Sequence, residues 1–261
     1  MFDDDALLRY SRHILLDALG IEGQEAIARG RVLVVGAGGL GSPAALYLAA
    51  AGVGTLHLAD DDVVDLTNLQ RQVALATADL GALKVTATQA RLQQLNPLCR
   101  VVLHPQRLDA AALAALVPNV DVVLDCSDNF ATRHLVNAAC VAVSRPLVSG
   151  AAIRFDGQLA VFDPRDPSSP CYACLFPPQA GAEEVRCAEL GVFAPLTGIV
   201  GAVQAAEALK LLAGLGESLA GRLQLLDVRT MRWHELRVPR DPACAVCGAA
   251  AGSPDPSVGE R

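Results

Sequence analysis

The stretch that most constrains the fold of this chain is RVLVVGAGGLGSPAALYL, residues 31–48. Its apolar run at 32–35 predicts a strand buried on both faces, and the Ala- and Leu-rich run at 40–51 predicts a helix. Between them Gly36, Gly38 and Gly41 form a G-x-G-x-x-G loop, and Gly39 adds a fourth glycine. Such a loop lets backbone N–H groups approach a phosphate at the N-terminus of the helix. The stretch therefore predicts a nucleotide site, with a tight turn that binds no ligand as the alternative.

Further strands and helices alternate along the first half of the chain. The spacing of apolar residues predicts helices over 5–19, 82–95, 109–117 and 130–144, and strands over 55–59, 100–103, 120–126 and from 147. Gly20 is expected to end the first helix. Strands that alternate with helices imply a parallel sheet with helices on both faces. We therefore expect an α/β fold with a Rossmann-like, mostly parallel, doubly wound sheet.

The pattern changes after residue 150, where antiparallel strands are expected to extend the sheet. Asp156-Gly157 lies between two alternating runs and predicts the turn of a β-hairpin. The other elements predicted there are a loop over 164–190, a helix over 195–213 and an antiparallel strand pair over 222–228 and 232–238. We expect one domain over 1–248, divided near residue 150 into a nucleotide-binding half and an antiparallel half over 151–248. The Pro/Gly/Ser-rich tail, 249–261, is expected to be disordered.

The composition disfavours several classes of protein. The chain has 261 residues, 52% of them hydrophobic, and a net charge of -7, which disfavours binding to nucleic acid. Its first residues, MFDDDALLRY, lack the pattern of a secretory signal. The best candidate for a membrane span, 190–206, contains Pro195 and Gln204 and ends at Glu207, so it predicts a loop followed by a buried helix. We therefore expect a cytoplasmic protein that binds neither membrane nor nucleic acid.

A second group of residues bears on which nucleotide is bound. Asp60 lies 19 residues beyond Gly41, at the end of the second predicted strand, where an acid can bind the ribose of NAD or of ATP. The next segment supplies Asn68, Arg71 and Lys84, which suit the β- and γ-phosphates of a triphosphate. Lys84 is one of only two lysines in a chain with 19 arginines. This bias suggests that position 84 requires a compact ammonium where a guanidinium would not fit. The alternative for Lys84 is a solvated helix residue.

The segment LDCSDNFATR, residues 124–133, follows the fourth predicted strand. Ligands of open α/β sheets bind beyond the carboxyl ends of the strands, so Asp128 points to the same crevice as the glycine loop. Its carboxylate suits Mg²⁺ bound to the phosphates. Asp128 or Asn129 could instead cap the helix at 130–144. The two residues could also divide the roles, with one as the cation ligand and the other as the helix cap. Asp125 is expected to be structural.

Four of the eight cysteines form two C-x-x-C pairs. Cys171 with Cys174 and Cys244 with Cys247 each provide two positions of a tetrahedral zinc site. Together the pairs predict a closed structural zinc knuckle of four cysteines. A redox pair is the alternative, but it requires a helix start within a thioredoxin-like unit, and these pairs lie among Pro and Gly.

The remaining cysteines are single. Cys187, in EEVRCAELGV, is predicted to be an accessible thiol whose pKa is lowered by Arg186 and which can attack an activated acyl group. An unused loop cysteine is the alternative. Cys99, Cys126 and Cys140 lie in predicted strands or a helix and are expected in the core.

The combination of motifs resembles the E1-like activating enzymes of the bacterial ThiF/MoeB/HesA family. The motifs that carry the resemblance are RYSRHI, GAGGLG, DDD with NLQRQ, the lysine at 84, DCSDN, CYAC, CAELGV and CAVC, which extend over nearly the whole chain. The resemblance implies an adenylyltransferase that uses MgATP to adenylate the C-terminal glycine of a small ubiquitin-like sulfur-carrier protein of ThiS or MoaD type. Pyrophosphate leaves, and the carrier then accepts sulfur as a thiocarboxylate for thiamin or molybdopterin cofactor biosynthesis.

The resemblance also implies a role for each matching residue. The residues implied to contact ATP and its phosphates are Gly36, Gly38, Gly39, Gly41, Asp60, Asp62, Asn68, Arg71, Lys84, Asp128 and Asn129. Asp128 would bind Mg²⁺ and be essential for adenylation, and the paired cysteines would bind structural Zn²⁺. Arg12 would reach the triphosphate of the neighbouring subunit in a homodimer. Cys187 matches the cysteine that forms an acyl persulfide with the carrier in the thiamin branch, with a sulfurtransferase or cysteine desulfurase as sulfur donor.

Alternatives stay open for the branch and for the activity. RYSRHILLDALGIEGQ, LADDD and NAACVA look closer to the thiamin branch, whereas LVSGAAIR looks closer to the molybdopterin branch. An NAD-dependent oxidoreductase explains the glycines and Asp60 but leaves Arg71, Lys84 and Asp128 without a task. A non-catalytic scaffold with the same fold is disfavoured because these three charged residues are present.

Overall fold

The computed structural model describes residues 2–178 and 190–248. The strands are β1 (Arg31–Val35), β2 (Thr55–Ala59), β3 (Arg100–His104), β4 (Val122–Asp125), β5 (Leu147–Ile153), β6 (Asp156–Phe162), β7 (Arg222–Asp227) and β8 (Arg232–Arg237). The helices are α1 (Asp4–Ile14), α2 (Gly20–Arg29), α3 (Gly41–Ala50), α4 (Lys84–Leu95), α5 (Ala110–Leu116), α6 (Phe130–Ala142), α7 (Tyr172–Leu175) and α8 (Ala194–Ala213). Short 3-10 turns lie at Leu66–Asn68, Thr77–Asp79 and Val117–Asn119.

All eight of these strands form one sheet in the order β3-β2-β1-β4-β5-β6-β7-β8. The first five in this order pair in parallel, and β6, β7 and β8 continue the sheet as antiparallel strands. β5 spans residue 150, so the sheet is continuous across the position that separates the two predicted halves. The prediction of a mostly parallel, doubly wound sheet extended by antiparallel strands is confirmed.

Helices cover both faces of this sheet. α3, α4 and α8 pack on one face, and α5 and α6 pack on the other. Within β1, Val32 and Val34 join the first cluster, while Leu33 and Val35 join the second. Burial of each such side chain contributes ~1.5–3 kcal/mol, which explains the unbroken apolar run of this central strand. The three single cysteines expected in the core are buried there: Cys99, Cys126 and Cys140.

Of the described helices, only α8 is long and apolar enough to cross a membrane by length and composition. In this fold α8 packs against α2, α3 and the strands β4, β5 and β6. It therefore has the surroundings of a core helix, and the prediction of a buried helix over 195–213 is confirmed.

The N-terminal region differs from the predicted single helix over 5–19. α1 ends at Ile14, and a second helix, α2, begins at Gly20, the residue that was expected to end the first. Gly20 has φ +58°, a conformation that glycine adopts without strain, so it turns the chain from one helix into the next. α2 packs against α8 and α1, and these tertiary contacts support a helix of only ten residues.

The turn of the β5–β6 hairpin lies two residues earlier than predicted. Arg154 and Phe155 form the turn, and Arg154 has φ +51°. Asp156 and Gly157 instead begin β6. A β-carbon on Gly157 would lie 2.9 Å from the side chain of Leu196 in α8. This glycine therefore marks a close approach between sheet and helix, which the dipeptide pattern could not distinguish from a turn.

Part of the predicted loop over 164–190 is helical. α7 forms one short turn that begins directly after Cys171. Residues 179–189, which include Arg186 and Cys187, lie outside the described residues, as does the tail at 249–261.

Candidate functional site

A crevice opens at the carboxyl ends of β1, β2 and β4. The strand order reverses here, because β2 and β3 lie on one side of β1 and β4 to β8 lie on the other. Open α/β sheets bind ligands at such a switch point. The crevice contains a cavity of about 590 Å³, which lies within the ~300–1,000 Å³ range of small-molecule sites.

The glycine loop joins β1 to α3 and lines this cavity. Gly36 has φ +95°, and a β-carbon there would lie 2.8 Å from the carbonyl oxygen of Cys126. At Gly41 a β-carbon would lie 1.8 Å from the carbonyl oxygen of Gly36. At Gly38 the nearest atom to a β-carbon would be the side-chain nitrogen of Gln72, at 3.6 Å. Gly36 and Gly41 therefore close the turn, while Gly38 leaves its backbone open to a ligand.

Asp60 both anchors the glycine loop and lines the cavity. Its Oδ2 accepts a hydrogen bond from the N–H of Ala37 at 2.7 Å, and its Oδ1 accepts one from the N–H of Asp62 at 2.9 Å. Burial raises the pKa of Asp60, and the charge of Lys84 and the two N–H groups act against that rise. Because each carboxylate oxygen has a second lone pair, Asp60 can also accept a hydrogen bond from a ligand hydroxyl.

Arg71 and Asn68 contact each other on the segment between β2 and α4. Nη2 of Arg71 donates to Oδ1 of Asn68 at 2.7 Å. Nη1 donates to the carbonyl oxygen of Thr67 at 3.3 Å and to Oε1 of Gln70 at 3.1 Å. These three acceptors are neutral, so they orient the guanidinium without cancelling its charge. The charge is therefore available to an anionic ligand in the cavity.

Lys84 is the first residue of α4, and its side chain is 5% exposed. Its Nζ lies 2.6 Å from Oδ2 of Asp62, whose side chain is 66% exposed. Burial of an ammonium is costly unless the charge is paired. Lys84 is thus not a solvated helix residue, and its ammonium lies at the wall of the cavity, where phosphates could take the place of Asp62.

The loop after β4 separates the two roles considered for Asp128 and Asn129. Asn129 caps α6, because its Oδ1 accepts a hydrogen bond from the N–H of Thr132 at 2.9 Å. The same oxygen accepts one from Nη2 of Arg107 at 3.3 Å. Asp128 is exposed and lines the cavity, with a long contact of 3.4 Å from Nδ2 of Asn129 to its Oδ1. The carboxylate of Asp128 is therefore suited to hold a cation, while Asn129 serves the helix.

The fold brings most of the predicted nucleotide residues to one cavity. Those that line it are Gly36, Gly38, Gly39, Asp60, Asp62, Asn68, Arg71, Lys84, Asp128 and Asn129. Gly41 is the first residue of α3 and lies against the backbone of Gly36, and Arg12 is exposed on α1; neither lines the cavity. Arg107 and Thr197 also line it and were not predicted. The position of Arg107, just beyond the carboxyl end of β3, is the signal that could have identified it.

The four paired cysteines meet between α7 and the C-terminal CAVC motif. The Sγ–Sγ distances are 3.7 Å for Cys171 and Cys244, 3.4 Å for Cys174 and Cys247, and 4.0 Å for Cys171 and Cys174. Thiolates around zinc with Zn–S of ~2.3 Å lie ~3.8 Å apart in a tetrahedron. All four thiols are free, and one is offered by each residue. The cluster therefore fits a tetrahedral zinc ion.

Asn137 of α6 supports this cluster and was not predicted. Its Nδ2 donates to Sγ of Cys171 at 3.6 Å, and its Oδ1 accepts from the N–H of Tyr172 at 2.8 Å. Hydrogen bonds of this kind orient metal ligands. Asn137 connects the helix that starts at the nucleotide cavity to the cysteine cluster, a contact across 34 positions that no local pattern indicates.

Known proteins are similar to this chain in sequence and in fold. The ThiF family matches residues 10–246. The chain is 47% identical over 252 residues to the sulfur carrier protein ThiS adenylyltransferase of Escherichia coli (strain K12), covering 97% of this chain and 99% of the relative. It is 46% identical over 245 residues to the molybdopterin-synthase adenylyltransferase of that organism, covering 94% and 98%. The structure of E. coli MccB with ATP has the same fold, with a TM-score of 0.79 and 24% identity over 92% of this chain and 74% of that chain. The chain therefore belongs to the ThiF family.

Proposed function

We propose that this protein adenylates the C-terminal glycine of a small ubiquitin-like sulfur-carrier protein of ThiS or MoaD type, using ATP and releasing pyrophosphate. Its relatives of 47% and 46% identity are named adenylyltransferases. The observation that carries the proposal is the pair of cations beside the glycine loop, the buried ammonium of Lys84 and the guanidinium of Arg71. A dinucleotide needs neither, because its pyrophosphate rests on the glycine loop. A triphosphate that loses pyrophosphate needs both.

The chemistry is a displacement at the α-phosphate of ATP. The terminal carboxylate of the carrier attacks, the bond between the α- and β-phosphates breaks, and an acyl-adenylate remains. Both reactants are anions, so catalysis consists mainly of positioning and charge stabilisation. Arg71 and Lys84 offset the charge on the leaving pyrophosphate, and Asp60 binds the ribose. Asp128 would hold Mg²⁺, which supplies further positive charge at the phosphates.

The cysteine cluster has a structural task in this proposal. Zinc held by four thiolates has no open position for a substrate, so it cross-links the chain instead of activating water. The link joins Cys244 and Cys247, after the last strand, to the turn of α7. We place the enzyme in the cytoplasm, where reducing conditions keep such thiols available to metal.

We propose that a homodimer completes the site. Arg12 stands outside the cavity of its own chain. Nearby, α1 and the turn after it expose Leu8, Leu15 and Leu16 at 75%, 68% and 54%, as expected of an interface. Arg12 would add a third cation at the triphosphate of the partner. A mixture of Arg12→Ala chains and Asp128→Ala chains should then regain ATP–pyrophosphate exchange, because each hybrid dimer has one site with both residues intact. If the two variants form hybrid dimers and the mixture stays inactive, this role of Arg12 is excluded.

The carrier and the sulfur donor are finer predictions. Identities of 47% and 46% give no preference between the thiamin and molybdopterin branches. We expect the antiparallel strands to form the docking surface for the carrier, with its C-terminal tail in the crevice. A sulfurtransferase or cysteine desulfurase is the proposed donor, and Cys187 the proposed thiol for an acyl persulfide.

ATP–pyrophosphate exchange tests the proposed function. ThiS-type and MoaD-type carriers are offered separately, each with and without its terminal glycine. Exchange that requires the glycine supports carrier adenylation, and the faster carrier identifies the branch. Asp128→Ala should fold and bind ATP yet lose exchange. A wild-type protein that binds NAD tightly and catalyses no exchange with either carrier would refute the proposal.

A further inference from the structure

We propose that the buried carboxylate of Asp125 and the half-buried guanidinium of Arg133 together position the loop that carries Asp128, and thereby set the affinity of the site for the divalent cation that accompanies ATP. The inference rests on the function proposed above. Asp125 ends β4 and is 0% exposed. Arg133 lies in the first turn of α6 and reaches the wall of the cavity.

Asp125 holds Ser127 from one side. Oδ1 of Asp125 accepts hydrogen bonds from the N–H of Ser127 at 3.0 Å and from its hydroxyl at 2.6 Å. Oδ2 accepts from the hydroxyl of Ser149 at 3.0 Å, which ties the carboxylate to β5. A buried carboxylate requires such donors. Two of these three bonds end on the residue that immediately precedes Asp128.

Arg133 holds the same residue from the other side. Its Nη2 donates to the carbonyl oxygen of Ser127 at 2.7 Å and to that of Gly150 at 3.1 Å. Burial acts to lower the pKa of Arg133, but the negative charge of Asp125 helps to hold that pKa above its ordinary value. The guanidinium therefore stays charged within the fold and can serve as a permanent clamp.

Ser127 thus has its N–H, its hydroxyl and its carbonyl all bonded to two side chains of opposite charge. On the far side of Asp128, Asn129 is fixed as the cap of α6. The backbone of Asp128 is therefore held on both sides while its carboxylate faces the cavity. Misplacement of a catalytic group by ~1 Å costs ~100-fold in rate, and loss of a residue that orients a metal ligand costs ~10–100-fold in metal affinity.

Binding of Mn²⁺ to the complex with a non-hydrolysable ATP analogue tests this role without any turnover. Asp125→Asn keeps the size of the side chain and one acceptor but removes the charge opposite Arg133. Paramagnetic resonance of bound Mn²⁺ should then show a ~10-fold or greater loss of affinity, with metal-free binding of the analogue unchanged. Ser149→Ala is the matched control, since it removes the third bond to the same carboxylate without touching Ser127. Its thermal stability should fall, while its Mn²⁺ affinity stays within ~2-fold of wild type, well short of that loss.

Ser127→Ala provides a second variant in case Asp125→Asn does not fold. It removes only the hydroxyl bond, and we expect a smaller loss of Mn²⁺ affinity in the same direction. Variants that melt at lower temperature but bind Mn²⁺ as wild type does would overturn the positioning role, and so would an equal loss in Ser149→Ala. The proposed function is judged separately, by pyrophosphate exchange in the wild-type protein, so failure of either claim can be recognised.

Discussion

Lys84→Met is expected to abolish most activity while leaving stability nearly unchanged. The reason is the unequal burial of the ion pair, with the side chain of Lys84 at 5% exposure and that of Asp62 at 66%. Methionine fills the space of the lysine stem, and the exposed carboxylate of Asp62 is solvated when its partner is gone. A pair with one exposed member contributes little, so the free energy of unfolding should change by less than ~1 kcal/mol.

The effect on catalysis should be much larger. In the proposed reaction the buried ammonium of Lys84 offsets charge on the leaving pyrophosphate, as one donor of an oxyanion site does, and deletion of a single such donor costs ~2.7–4 kcal/mol. Each ~1.4 kcal/mol corresponds to a factor of ten in rate. ATP–pyrophosphate exchange at saturating carrier should therefore be ~100- to 1,000-fold slower in the variant.

The second lysine of the chain provides a control with the opposite outcome. Nζ of Lys210 lies 2.5 Å from Oε1 of Glu207, and the side chain of Glu207 is 5% exposed. Lys210→Met leaves that buried carboxylate without its cation, so ~3–5 kcal/mol of stability should be lost, with exchange unchanged at a temperature where the variant is folded. The reasoning would be refuted if Lys84→Met catalysed ATP–pyrophosphate exchange at the normal rate. It would also be refuted if urea titration showed that the variant is unfolded to the same extent as its activity is lost.

Three further predictions concern the zinc knuckle, the pH dependence and the sheet–helix contact. Chelation of zinc, or Cys247→Ser, should lower the melting temperature while ATP binding persists, and equal melting temperatures would contradict a structural metal. His57 and His104 lie 3.0 Å apart, Nδ1 to Nε2, and burial lowers the pKa of both below the ordinary 6.5. Below pH 6.5 the unfolded chain therefore binds more protons than the folded protein does. The contribution of the two histidines to the free energy of unfolding is complete above pH 6.5 and is lost as the pH falls through their lowered pKa values. His104→Gln should make the free energy of unfolding depend less on pH in this range. Gly157→Val should lose ~1–3 kcal/mol in urea titration, because α8 leaves no space for a side chain there.

The parallel part of the fold was predictable because its signals are local. β2 begins and ends where the sequence pattern placed it, at Thr55 and Ala59. Both strands of the terminal antiparallel pair were also predicted to within one residue. For β2 and β7 the apolar residues of a short segment report directly on burial, so no distant contact is needed to locate these strands, whereas β8 is exposed along its whole length.

The errors arose where packing between distant elements decides the structure. Gly20 reads as the end of a helix, yet it begins α2, which α8 supports from the other end of the chain. Asp156-Gly157 reads as a turn, yet Gly157 is needed as a strand residue where Leu196 approaches. A glycine signals that a side chain is not tolerated, but the cause can be backbone conformation or a neighbour, and local sequence does not separate the two.

The DCSDN motif shows the same limit at the level of the site. Its types of residue predicted a cation ligand and a helix cap, but their assignment required coordinates. Asp125 is the last buried residue of β4, Asp128 is exposed in the loop, and Asn129 caps α6. The spacing follows from this geometry, since the strand end at Asp125, three loop residues with Ser127 at their centre and the helix cap at Asn129 succeed one another within five residues. The two acids should therefore respond differently to removal of charge: Asp128→Asn should impair cation binding without loss of stability, whereas Asp125→Asn should impair both.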